Sequence, residues 1–182
     1  MARSVLILFA HPAFQRSRAN RALAEAVRDL PGVTFHDLYE DYPDLLIDVA
    51  REQSLLSSHD ALVLQHPFYW YSAPALIKEW LDLVLEHGWA YGETGQALAG
   101  KDWISAITSG GGEGSYGPDG FNRFTITEFM RPFEATAHLC GMRWRAPFVV
   151  QASHMSTPAR LAEAAAAYRA HILALQRRGE DA

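Results

Sequence analysis

Ala61-Leu62-Val63-Leu64-Gln65-His66-Pro67-Phe68-Tyr69-Trp70-Tyr71-Ser72-Ala73-Pro74 passes from an apolar run straight into an aromatic loop bounded by prolines. A short apolar run closed by turn residues reads as a buried strand, here residues 61–65. After Pro74, Leu76, Ile77, Trp80, Leu81, Val84 and Leu85 recur at three- and four-residue spacing, which predicts an amphipathic helix over 75–86. A buried strand, a loop of exposed rings and a helix is one βα unit with a place to hold something flat. Four successive rings stack on a planar ligand, are buried against another subunit, or cluster under their own loop.

The same alternation extends in both directions. Residues 5–10 form a continuous apolar strand covered on both faces, and 20–30 a helix with Ala22, Leu23, Ala26, Val27 and Leu30 on one side. Pro31-Gly32 ends it, 33–38 is a second strand, and Asp48 caps a helix running to about residue 57. Beyond the aromatic loop come a strand over 103–108, a helix over 124–139 with Pro132 near its first turns, a strand over 148–151 and an alanine-rich closing helix over 158–175. Strands alternating with helices predict an α/β three-layer sandwich, with a five-stranded parallel sheet and helices on both faces. The 182 residues suit one domain, with no repeats and no linker.

Composition removes several functions. The net charge is −5, and the 16 Lys and Arg are spread along the chain, so there is no electrostatic footprint for nucleic acid. The single cysteine, Cys140, reads as a small buried apolar residue; it excludes an internal disulfide and a multi-thiolate metal site and suits a reducing compartment. The apolar run near the N-terminus is too brief for a signal-peptide core or a membrane span, which predicts a soluble cytoplasmic protein. No histidine pair has metal-protease spacing. Gly112 to Gly117 matches G-x-G-x-x-G but lies in the fourth βα loop with Pro118 behind it, away from the strand-to-helix turn that a dinucleotide fingerprint needs.

In such a sheet, ligands bind beyond the carboxyl ends of the strands where strand order reverses, which makes the loops after the first, third and fourth strands neighbours. The first loop holds His11, Ser17, Arg18, Ala19 and Asn20 and opens a helix whose free N–H groups favour a phosphate. Ser17 and Asn20 are side-chain donors there and His11 and Arg18 the charged candidates, although Ser17 also reads as an ordinary cap. The third loop is the aromatic one. The fourth, Thr108-Ser109-Gly110-Gly111-Gly112-Glu113, puts small residues where backbone must approach a ligand or where a lid must flex. A phosphate loop, an aromatic loop and a glycine-rich loop fit flavin mononucleotide.

At this point the chain resembles the flavodoxin-like NAD(P)H:quinone oxidoreductases, and within them the ancillary proteins KefF and KefG of glutathione-gated potassium-efflux systems. The resemblance runs through His11-Pro12 with Ser17 and Asn20, Asp37-Leu38-Tyr39, Glu52-Gln53, Gln65-His66-Pro67, Trp70-Tyr71-Ser72, Leu76-Ile77-Lys78-Glu79-Trp80, His87-Gly88-Trp89 and Thr108-Ser109-Gly110-Gly111. It implies a flavodoxin-like sheet of order 2-1-3-4-5. It further implies FMN phosphate on His11, Ser17, Arg18, Ala19 and Asn20, the flavin ring bordered by Pro67, Phe68, Tyr69, Trp70 and Tyr71, and its polar edge at Thr108, Ser109, Gly110 and Gly111. The implied activity is two-electron, ping-pong transfer of hydride from NAD(P)H through the flavin to a quinone.

Animal quinone reductases of this family carry a tyrosine and, six residues on, a histidine; Tyr116 matches the first, but Asn122 stands at the second. Tyr116 and Asn122 are the candidate catalytic pair, and an asparagine donates a hydrogen bond without shuttling a proton. The chain also lacks the longer C-terminal region that helps hold FAD, so FMN is favoured. Family members form homodimers, and Trp80, Trp89 and Tyr91 are more rings than one small core requires. A Kef-type antiporter is the implied membrane partner, with attachment at the inner face of the cell membrane. The acidic segment Glu40-Asp41-Tyr42-Pro43-Asp44 is a solvated loop or a docking surface for such a transporter. A reductase, a regulatory subunit of an antiporter and a one-electron carrier are the three functions to separate.

Overall fold

The computed structural model describes residues 2–177. Strands β1 (Val5–Phe9), β2 (Val33–Asp37), β3 (Ala61–Pro67), β4 (Asp102–Thr108), β5 (Arg143–Trp144) and β6 (Phe148–Val150) form one parallel sheet of order β2-β1-β3-β4-β5, with β6 also on β4. Every residue of β1, β3 and β4 is buried, as central strands covered on both faces must be. The register aligns Phe9 with Gln65 and Pro67 with Thr108, so the first, third and fourth loops emerge side by side.

Helices α1 (Arg18–Val27) and α7 (Pro158–Arg177) cover one face; α2 (Leu38–Asp41), α3 (Val49–Ser58), α4 (Ala75–Val84), α5 (Ile126–Phe129) and α6 (Arg131–Leu139) accompany the other. Alternation along the strands divides the core accordingly. Leu6, Leu8, Leu62, Leu64, Trp103 and Ile107 pack with Leu76, Ile77, Trp80 and Phe133. Val5, Ile7, Val63, Ile104 and Ala106 pack with Leu23, Val27, Tyr168 and Ile172. This is the three-layer α/β sandwich of the sequence reading.

Three expectations change. The fifth strand is two pieces, Arg143–Trp144 and Phe148–Val150, both on β4 and broken by Arg145-Ala146-Pro147; Pro147 has no N–H for a ladder. The helix over 124–139 divides into α5 and α6. A capping box between Thr125 and Glu128 starts α5, and Pro132 in the first turn of α6 cannot donate to the carbonyl four residues back. The acidic segment is partly folded inward, because Leu38–Asp41 is a short helix whose Asp41 pairs with His36 and Arg51 while Tyr42 is buried.

A buried carboxylate organises that side. Glu52 accepts hydrogen bonds from the Tyr42 hydroxyl (2.6 Å) and Trp80 Nε1 (2.8 Å) and lies 2.8 Å from His36 Nε2. Burial opposes its ionisation, yet these hydrogen bonds hold its pKa below the ordinary carboxylate value. Trp80 is therefore core, and Trp89 and Tyr91 are part-buried against the same cluster; none of the three is left to argue for a second subunit.

Candidate functional site

Loop one is held shut from behind. Ser17 caps α1: its Oγ accepts from the backbone N–H of Asn20 (3.2 Å) and from Asn20 Nδ2 (3.2 Å). Asn20 is wholly buried, and Nδ2 also donates to Thr108 Oγ1 (2.8 Å), so its carboxamide ties the start of α1 to the end of β4 and does not face out toward an anion. With two donors on Ser17 Oγ, both lone pairs are engaged and the hydroxyl proton is left to donate. Ser17 is part-exposed, and the backbone N–H groups of Arg18 and Ala19 have no acceptor among the described residues. A helix start with two free amides and a hydroxyl proton left to donate has the chemistry that suits an anion.

His11 contributes a hydrogen and no charge. Its Nδ1 accepts from the Ala13 N–H (3.0 Å), which leaves the proton on Nε2, and burial pushes its pKa down, opposed by a backbone hydrogen bond. Its ring meets Tyr69 edge-on at 6.0 Å. Arg18 is exposed and Ala19 buried.

The aromatic loop is a strained hairpin turn. Ser72 N–H bonds the Tyr69 carbonyl (3.0 Å), and the two central residues both lie in the left-handed region, Trp70 at φ 49° and Tyr71 at φ 63°. That is a type I′ turn built of two bulky rings where glycine or asparagine is usual. It costs about 1–2 kcal/mol per residue. The strain fixes presentation: Trp70 is 93% exposed, while Tyr71 stacks on Phe129 at 4.9 Å. Pro67 is buried at the end of β3, and Phe68 donates its N–H to the Thr108 carbonyl (2.8 Å), which sets the aromatic loop against the fourth.

On the fourth loop Thr108 and Ser109 are buried, and their hydroxyls are used internally, Ser109 Oγ on the Gly111 carbonyl (2.9 Å). The amides of Gly110 and Gly111 have no acceptor among the described residues and border the cavity. Gly111 is closely packed: a Cβ there would sit 3.0 Å from Tyr116 Cε2, so the ring would have to shift to admit one. Asn122 Oδ1 accepts from the Tyr71 hydroxyl (3.1 Å), joining the far side of this loop to the aromatic turn.

Between them lies a cavity of about 430 Å³ lined by Phe68, Trp70, Tyr71, Gly110, Gly111, Ser115, Tyr116, Phe121 and Asn122. A larger one, about 540 Å³, runs along β6 and α7, lined by alanines, Phe148, Arg160 and Glu163. The smaller has the rings and the free amides of Gly110 and Gly111. Sequence reading missed Ser115, Phe121 and His154, the last of which would lie 3.5 Å from a Cβ at Gly110. Phe121, 89% exposed in a Gly- and Pro-rich loop, was the available signal.

A family model described as flavodoxin-like fold matches residues 3–172. The chain belongs to this family. The KefG ancillary protein of the glutathione-regulated potassium-efflux system from Enterobacter sp. (strain 638) is 50% identical over 90% of each chain. Among solved family structures, general stress protein 14 from Treponema denticola, in complex with FMN, is 39% identical with a TM-score of 0.89, covering 95% of this chain and 99% of that one. A protein from P. pentosaceus named NADPH-quinone reductase is 34% identical, with a TM-score of 0.83 and coverage of 92% and 96%. One described as a thermophilic tryptophan halogenase from Streptomycin violaceusniger is 45% identical, with a TM-score of 0.90 and coverage of 92% and 98%. The family thus carries more than one named chemistry, and function is argued from the site.

Proposed function

We propose that this chain is an FMN-dependent NAD(P)H:quinone oxidoreductase that transfers hydride in two-electron, ping-pong steps, all within one domain. The observation that carries the reading is the juxtaposition, at one end of the sheet, of an anion-ready helix start with an aromatic cavity of about 430 Å³ faced by two free glycine amides. The phosphate is held by the Ser17 hydroxyl, the amides of Arg18 and Ala19 and His11 Nε2, with the Arg18 guanidinium at the rim. Asn20 serves by holding Ser17. Phe68 to Tyr71 and Gly110-Gly111 would border the ring. When bound, the flavin supplies hydride acceptance from a nicotinamide and hydride donation to a quinone.

The protein's own part is placement and electrostatics. The Gly110 and Gly111 amides donate to the polar edge where negative charge develops, and they are already oriented before the reaction. The rigid turn presents Tyr69 and Trp70 as a wall for a planar substrate, and the Tyr116 phenol and Asn122 carboxamide offer hydrogen bonds to a quinone oxygen. A solved relative that holds FMN and one named NADPH-quinone reductase support the reading.

A second role is compatible with the first. The KefG relatives support an ancillary subunit that docks on a Kef-type antiporter at the cytoplasmic face of the membrane. No helix of the described residues is long and apolar enough to cross a membrane itself. Exposed Trp70 and Phe121 at the cavity mouth, 93% and 89% accessible, support a homodimer that covers them.

The test is the visible spectrum after FMN addition and desalting, followed anaerobically by NADH or NADPH and then menadione. Flavin that is retained, bleaches with the nicotinamide and returns with the quinone is the expected result. Failure to retain flavin would overturn it. Co-purification with a Kef-type antiporter from membranes tests the second role.

A further inference from the structure

Beneath the phosphate loop lies a polar group that the reductase chemistry does not use. Gln65, near the carboxyl end of β3, is wholly buried, as is Tyr168 of α7. The Tyr168 hydroxyl donates to Gln65 Oε1 (3.1 Å), which leaves Gln65 Nε2 turned to the Asn20 carbonyl in the first turn of α1 (3.4 Å). Asn20 in turn holds Ser17 and Thr108. Elsewhere the same two helices are joined at the surface, where Arg169 donates to the Ala26 carbonyl (2.6 Å).

We propose that Tyr168, on the last helix, is a positioning residue for the phosphate-binding turn: it fixes the Gln65 carboxamide, which fixes Asn20 and thereby the Ser17 hydroxyl and the amides of Arg18 and Ala19. This rests on the flavin reading above. An amide in a buried site adopts whichever orientation satisfies its oxygen and nitrogen together. Without the Tyr168 donor, Oε1 is left buried and unpaired, and the side chain turns to find one, releasing the Asn20 carbonyl. The isoalloxazine end of the site, built on the aromatic and glycine-rich loops, meets this chain of bonds at Thr108, which the ladder to β3 and the Phe68 N–H hold in place independently of Asn20. Tyr168 therefore sets affinity for the phosphate and leaves affinity for the ring alone.

FMN and riboflavin separate the two, because they share the ring and differ by the phosphate. Full-length apoprotein is titrated with each, following flavin fluorescence. Wild type binds FMN more tightly than riboflavin. Tyr168→Phe keeps the ring volume and lowers FMN affinity about five- to tenfold, the effect of one lost buried hydrogen bond, with riboflavin unchanged within about twofold. In a Gln65→Met background, Tyr168→Phe produces no further loss of FMN. Equal losses for both flavins, an unchanged FMN affinity, or a full additional loss in the Gln65→Met background would each overturn the assignment. Wild type that binds neither flavin overturns the flavin reading and this inference with it; wild type that binds FMN while the ratio stays fixed in Tyr168→Phe overturns this inference alone.

Discussion

The two ends of the sheet are built on opposite principles. At the N-terminal end, the buried Asp102 is paired by Arg143, Arg145 and Arg3, and Lys101 donates to the carbonyls of Ser57 and His59. Burial works against the Asp102 carboxylate, but hydrogen bonds from the three guanidinium groups outweigh it and bring its pKa down to about 2. At the C-terminal end, two bulky residues sit at positive φ, Ser17 has an uncommitted proton, the Gly110 and Gly111 amides lack acceptors among the described residues, and rings face water. One end satisfies its groups to hold strands together; the other leaves groups unsatisfied for something that binds.

Four perturbations sharpen or break that contrast. The largest effect falls on the paired end: Asp102→Asn leaves three guanidinium groups around a neutral side chain and lowers stability by about 3 kcal/mol in chemical denaturation. FMN affinity per folded molecule should stay within about twofold, and a large change in it would dissolve the division of labour. At the open end, Ser17→Ala with Asn20→Ala removes a direct donor and its support, and lowers FMN affinity about a hundredfold in a binding titration. Unchanged flavin retention would refute the phosphate assignment.

Acid separates the ends a third way. The folded Asp102 pKa of about 2 lies below its ordinary value of 3.8. Its contribution is therefore fully present above the unfolded value and is lost as pH falls through the folded one, roughly 2 kcal/mol between about pH 4 and 2. The stability profile of Asp102→Asn flattens in that window; an unaltered slope would contradict the pairing. The smallest effect has the opposite sign. Trp70→Gly relieves a left-handed aromatic that buries almost nothing, and raises the melting free energy by about 1 kcal/mol while lowering quinone turnover. Destabilisation would show that the turn carries contacts within the chain and no strain.

Much of this division was legible in the residues. Continuous apolar runs announced β1 and β3, and helical spacing announced α1 and α4, because burial on both faces or on one stripe leaves those patterns. The Ser17 and Asp48 caps could be read for the same local reason. The broken edge strand was harder, since Arg143–Trp144 spans two residues and exists by pairing with β4. Asn20 looked like an outward donor because a sequence shows the donor and not its direction; only the fold shows Thr108 behind it. Gln65 was read as the end of the third strand, and its partner Tyr168, 103 residues away, had no local signal. The strain at Trp70 and Tyr71 had no signal at all, because aromatic side chains are not the residues by which such turns are recognised.

The most direct test of the contrast is amide chemical-shift mapping of the full-length protein on addition of FMN. The account predicts large shifts at Arg18, Ala19, Phe68 to Tyr71, Gly110 and Gly111, and none at Lys101, Asp102 or Arg143. Shifts centred on Val149, Gln151 and Arg160, in the larger cavity along β6 and α7, with the α1 amides unmoved, would contradict it.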